Sequence, residues 1–312
     1  MALRGLSDDF VSDLKQGILA PVLERVKSDD TLCLEIRDGF VNVYYRGGNL
    51  LRLTEGASYA AAFDQKYFAG QAREWFAELP IVIQTEEQSR GWVERFPLLK
   101  QAMDLWFASH PKTEREYQQQ VLRDNNSGEG CTATDYFICD LEYANAHGRF
   151  DMVAAKWLST GAARKNPKAR LALIEVKCGD GALKGECGIH DHIAGMNEFL
   201  SEPARVAELK AEMLGVFRQK HKLGLIGTKH ALMSFTDEEP EYILLLANHD
   251  PGSRKLLEVL EGVGGEGPLA DPVGARLKFA TATFLGYGLF EQGMLTLDEL
   301  MAERRAQVHS QR

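Results

Sequence analysis

The chain has 312 residues, 45% of them hydrophobic and 26% charged, with a formal net charge of −9. That is enough apolar material for one large core or two small ones, so no disulfide or structural metal is required to hold the fold. No apolar run approaches the ~20 residues that span a membrane, and five cysteines without a Cys-x-x-Cys pair argue against a zinc ribbon or a disulfide framework.

The first residues, Met1 to Asp9, carry acids early and lack a long apolar stretch, so a secretory signal is not expected. With reduced thiols, a cytoplasmic location is the expectation. From Asp8 to Ser28 apolar residues recur at three- and four-residue steps, predicting one amphipathic helix. The period then changes to two. Leu32–Arg37, Phe40–Arg46 and Leu50–Leu53, separated by Asp38-Gly39 and Gly47-Gly48, predict an antiparallel meander, with a fourth strand near Ser58 to Phe63. Tyr44, Tyr45, Arg46 and Arg52 on this meander are candidates for stacking and charge contacts with nucleic acid; the same aromatics can equally cover the sheet.

From Tyr67 to Asn125 the pattern is helical, with Trp75, Phe76, Trp92, Phe96, Met103, Trp106 and Phe107 read as packing residues. Thr113 and Glu116 have the spacing of a capping box at the start of a helix. The domain boundary is placed here: residues 1–110 form an N-terminal α+β unit, and residues 111–312 a second unit.

The second unit is organised around Arg170–Lys177, an apolar run ending in Glu175-Val176-Lys177. Such a run predicts a strand buried on both faces. Residues two apart share a face of a strand, so Glu175 and Lys177 project together from its end. Ions there need partners, because burying them alone costs several kcal/mol. A metal with an adjacent cation, or a plain ion pair, satisfies that need. Two hairpin-linked strands precede this one, Asp135–Asn145 and Arg149–Trp157, and Asp151 lies in the second. Adjacent strands bring Asp151 and Glu175 together.

An acid on one strand followed by Glu-x-Lys at the end of the next, then a helix, resembles the PD-(D/E)XK nuclease superfamily, here as Asp151…Glu175-Val176-Lys177. The resemblance covers about Lys112 to Asp250, with Phe150 where a proline usually precedes the first acid. It implies an α/β fold, a mixed central sheet flanked by helices in αβββαβ order. It implies catalysis by Asp151, Glu175 and Lys177, with Mg²⁺ or Mn²⁺ held by Asp151, Glu175 and the Val176 carbonyl. Glu116, from the helix before the first strand, becomes a candidate further ligand, against its capping role. Asp140 and Glu142 share a strand face, and Glu142, nearer the turn, is the preferred addition to the metal shell; a wet edge strand explains both equally.

After Lys177 a loop with four glycines leads into Ile189–Leu200, predicted helical, as is Pro203 to about His221. His190 and His192 cannot share a helix face at a spacing of two; His192 resembles the residue that touches phosphate in the superfamily. Lys184 and His190 join it as candidate substrate contacts. Ala231–Phe235, Tyr242–Ala247 and Arg276–Tyr287 predict strands, and Ser253–Val263 and Thr296–Val308 helices. Gly262–Gly267 matches Gly-x-Gly-x-x-Gly but follows a helix and meets Pro268, so it reads as a linker, not a dinucleotide loop.

Between Gly148 and His230 there are 14 Lys and Arg against 9 Asp and Glu, so the remainder carries the acid excess. A basic region on an acidic chain suits a phosphate backbone. The sequence thus points to a metal-dependent nuclease, DNA favoured over RNA, with no membrane partner and with a homo-oligomer compatible. The alternatives are an inactive nucleic-acid-binding or assembly protein on the same fold, or a hydrolase of a small phosphodiester.

Overall fold

The computed structural model describes residues 4–68, 79–127, 133–185, 187–249, 254–261, 277–282, 289 and 291–310. Trp75, Phe76, Cys131 and the Gly262–Gly267 segment lie outside them. The chain divides into two compact units: residues 1–119 with 215–227, and residues 120–214 with 228–312. The sequence suggested a single cut at 110; the return of 215–227 to the first unit was not anticipated.

The first unit opens with helices α1 (Asp8–Gln16) and α2 (Ala20–Ser28) in place of the single helix expected. The break has a local cause. Gly17 ends α1 with its N–H on the Asp13 carbonyl, and a Cβ there would lie 2.1 Å from the Asp13 carboxylate. Pro21 sits in the first turn of α2, where its missing N–H costs nothing. Strands β1 (Leu32–Ile36), β2 (Phe40–Tyr45), β3 (Gly48–Thr54), β4 (Tyr59–Ala62) and β5 (Val82–Ile83) form an antiparallel sheet in that order. The meander is therefore as the turn residues predicted, with the short β5 added.

Helix α3 (Glu86–Phe107) carries the capping box that the spacing had suggested elsewhere: Thr85 accepts from the Gln88 N–H and the Gln88 side chain from that of Thr85. In α4 (Thr113–Asn126) Thr113 is already helical, and the Glu116 N–H bonds to the Lys112 carbonyl. The meander's polar side chains are engaged within the unit. Tyr45 donates to Asp104, Arg46 pairs with Asp104 and Glu116, and Arg52 donates to Asn42 while stacking on Phe40.

The second unit contains β6 (Tyr136–Ala144), β7 (Arg149–Lys156), α5 (Gly161–Lys165), β8 (Lys168–Cys178) and α6 (Ile189–Leu200). Next come α7 (Pro203–Leu223), β9 (Ser234–Phe235), β10 (Glu241–Ala247), α8 (Arg254–Glu261), β11 (Leu277–Ala282) and α9 (Leu297–Ser310). Residues 215–223 of α7 and 113–119 of α4 count with the first unit.

The sheet runs β11-β10-β8-β7-β6, with β9 beside β8. β6, β7 and β8 are antiparallel neighbours, whereas β10 is parallel to β8 and β11, because helices intervene between them. This is a mixed α/β architecture, as expected. β8 and β10 are almost wholly buried, as their unbroken apolar runs required.

At one end of this sheet Glu241, 2% exposed, accepts hydrogen bonds from Lys156, Arg170 and the Tyr136 hydroxyl at 2.8, 3.1 and 2.9 Å. Glu291 accepts from Lys156, Lys278 and the same tyrosine. Strand register puts this network on the face opposite Glu175, since Glu241 pairs with Ala172 and Lys156 with Arg170.

Candidate active site

The pairing Met152–Ile174 and Val153–Leu173 carries Asp151 level with Glu175 on one face of the sheet. Asp151 Oδ2 accepts the Val176 N–H at 2.8 Å, and the Asp151 N–H donates to Glu175 Oε1 at 3.4 Å. Glu175 and Lys177 are 2% and 4% exposed. Asp151, Glu175, Val176 and Lys177 are thus brought together at the end of the sheet where β8 and β10 finish and β7 begins.

Burial, then the charge of Glu175 and a hydrogen bond with it, push the Asp151 carboxyl up to about 7; the Val176 N–H and the Lys177 charge only partly oppose them. Lys177 directs its ammonium to the Cys187 carbonyl at 3.0 Å, on the loop before α6.

That loop is fixed by contact. A Cβ on Gly188 would come within about 3 Å of the backbone of residues 183–185, so α6 starts where only glycine fits. Four residues on, His192 turns back to the sheet, with Nδ1 3.1 Å from Glu175 Oε2. His147, Arg149, Phe150, Glu175, Cys187 and His192 are among the residues lining a cleft of about 520 Å³. The histidine and arginine of the β6–β7 turn were not singled out as site residues from sequence, although a His-Gly-Arg turn beside the first acid was a visible signal.

The other expected residues have surroundings of their own. His190 contacts the Val259 carbonyl and Lys184 pairs with Glu258, both across a second cavity of about 530 Å³ against α8. Glu116 belongs to the first unit, where Arg46 holds it at 2.7 Å. Glu142, half-buried and level with Asp151 between the Leu141–Met152 and Tyr143–Phe150 pairs, has a left-handed φ of 52°, which breaks the alternation used to place it. Asp140 is fully buried, level with Val153. Sequence reading also passed over His249, which lies 3.0 Å from both Asp180 Oδ1 and the Lys177 carbonyl.

Among the described residues, no three His, Cys, Asp or Glu side chains are gathered to hold one ion. The donor set nevertheless fits Mg²⁺ or Mn²⁺, because such ions ordinarily take one or two protein carboxylates and keep waters or phosphate oxygens for the rest. Asp151 and Glu175 supply two, and an ion there would offset the burial and the Glu175 charge that raise Asp151.

No protein-family model matches the chain, nor does any curated protein or solved structure. Among the described residues no helix is long and apolar enough to cross a membrane.

Proposed function

We propose that the second unit is a divalent-metal-dependent phosphodiester hydrolase acting on nucleic acid, DNA before RNA. The observation that carries this reading is the buried Asp151–Glu175 pair, its Asp151 carboxyl raised by burial and then by Glu175, with Lys177 alongside. Neighbouring acids raise one another unless a cation joins them, and a purely structural salt-bridge cluster would give Lys177 to the acids, whereas its hydrogen bond goes to Cys187.

Asp151 and Glu175 would hold the ion, with the Val176 carbonyl as a further oxygen. When bound, the metal polarises the scissile phosphate and lowers the pKa of a coordinated water. The Val176 N–H fixes the Asp151 carboxylate, and the His192 ring stands 3.1 Å from that of Glu175. Lys177 exchanges the Cys187 carbonyl for the phosphate and stabilises the negative charge that develops there. Arg149 and His147, lining the cleft, meet the flanking phosphates.

The test is cleavage of labelled single- and double-stranded DNA and RNA, and of a small cyclic dinucleotide, in Mg²⁺ or Mn²⁺. Asp151→Ala and Lys177→Ala should each lower the rate by about 10²–10³-fold or more, with unchanged circular dichroism. Binding without cutting would favour an inactive nucleic-acid-binding protein on the same fold. Absence of cutting, together with no thermal shift in either metal, overturns the proposal.

A further inference from the structure

Tyr242 is the second residue of β10 and 1% exposed. Its hydroxyl is buried and has no hydrogen-bond partner among the described residues. Buried polar atoms are ordinarily satisfied, and an exception calls for an explanation. Register supplies one. Tyr242 pairs with Leu173, and Leu173 shares a face with Glu175 two residues on and with Val153, two residues from Asp151. The phenol thus lies one strand from Glu175 and two from Asp151, on the same face. Its ionisation reports the same neighbourhood: burial first, then the charges of Glu175 and Asp151, hold it well above the ordinary phenol range.

Resting on the metal-site reading above, we propose that Tyr242 is a positioning residue of the metal centre, whose hydroxyl donates to Glu175, directly or through one water, when the carboxylates take an ion. A phenol suits the task. It donates a hydrogen bond without bringing a positive charge that would compete with the metal, and its ring is held in the sheet's packed interior. Donors to ligating carboxylates fix their orientation and contribute strongly to metal affinity.

Tyr242→Phe removes the hydroxyl and keeps the ring. Metal-free, the variant should melt no lower than wild type, because no bond is lost; its Mn²⁺ affinity, by calorimetric titration, should fall about tenfold or more. If wild type binds Mn²⁺ and the variant binds equally well, the role of Tyr242 is overturned while the metal site stands. A variant that melts lower without metal shows that the hydroxyl has a structural partner, and this too overturns the proposal. No Mn²⁺ binding by wild type overturns the metal site and this inference together.

Discussion

Two pairs of acids lie against one sheet, and the chain treats them in opposite ways. Glu241 and Glu291 are surrounded by Lys156, Arg170, Lys278 and Tyr136. Burial works to raise Glu291, but hydrogen bonds from Lys156, Lys278 and Tyr136 overcome it and hold that carboxyl at about 2. On the other face Lys177, beside Asp151 and Glu175, bonds to the Cys187 carbonyl, His192 stands 3.1 Å from Glu175, and Asp151 rises to about 7. The contrast is between acids matched by cations and an acid held in a costly state, a condition often found at functional sites.

The largest effect expected from breaking this contrast is at the compensated pair. Glu241→Ala leaves Lys156 and Arg170 short of a buried partner and should cost about 3–5 kcal/mol in urea denaturation. Asp151→Asn acts in the other direction. The amide oxygen still accepts the Val176 N–H while the repulsion with Glu175 disappears, so the metal-free protein should gain about 0.5–2 kcal/mol at pH 8, and Mn²⁺ binding should be lost.

The pH dependence has opposite signs at the two places. A carboxyl raised from 3.8 to about 7 contributes stability that is complete below pH 4 and disappears as pH rises through 7. One lowered from 4.5 to about 2 contributes stability present above pH 4.5 and lost as pH falls through 2. Metal-free wild type should therefore melt lower at pH 8 than at pH 5, and Asp151→Asn should flatten that slope in a melting series. The smallest effect is at Glu116, whose pairing with Arg46 is partly exposed. Glu116→Gln should cost less than about 1 kcal/mol and leave Mn²⁺ affinity within about twofold, as a residue engaged elsewhere should; a larger loss of affinity would return Glu116 to the metal shell.

The meander and the placement of Asp151, Glu175 and Lys177 were legible because both depend on short-range rules, turn glycines and the two-residue alternation of strands. Where a local rule is broken, the reading failed with it. Gly17 and Pro21 split a helix whose apolar period runs on undisturbed, and the left-handed φ at Glu142 makes a face assignment by counting unsafe. Lys184 and His190 were drawn toward the acids by closeness in sequence, but their partners Glu258 and Val259 lie about 70 residues on, beyond the reach of any local pattern. Tyr242, inside an unbroken apolar strand, looked like packing because nothing in a sequence shows which buried hydroxyl lacks a partner.

The pairing of Lys220 with Glu35 at 2.5 Å, both almost fully buried, bears on how the protein is made. Its lysine comes from the 215–227 segment, so the first unit is complete only when that segment is available. At about 5–20 residues per second on the ribosome, the N-terminal meander emerges well before the cation that neutralises its innermost acid. For that interval Glu35 has Arg37, 3.9 Å away in the finished fold, but not Lys220. The first unit, although first in sequence, is therefore closed by residues synthesised after the candidate active site.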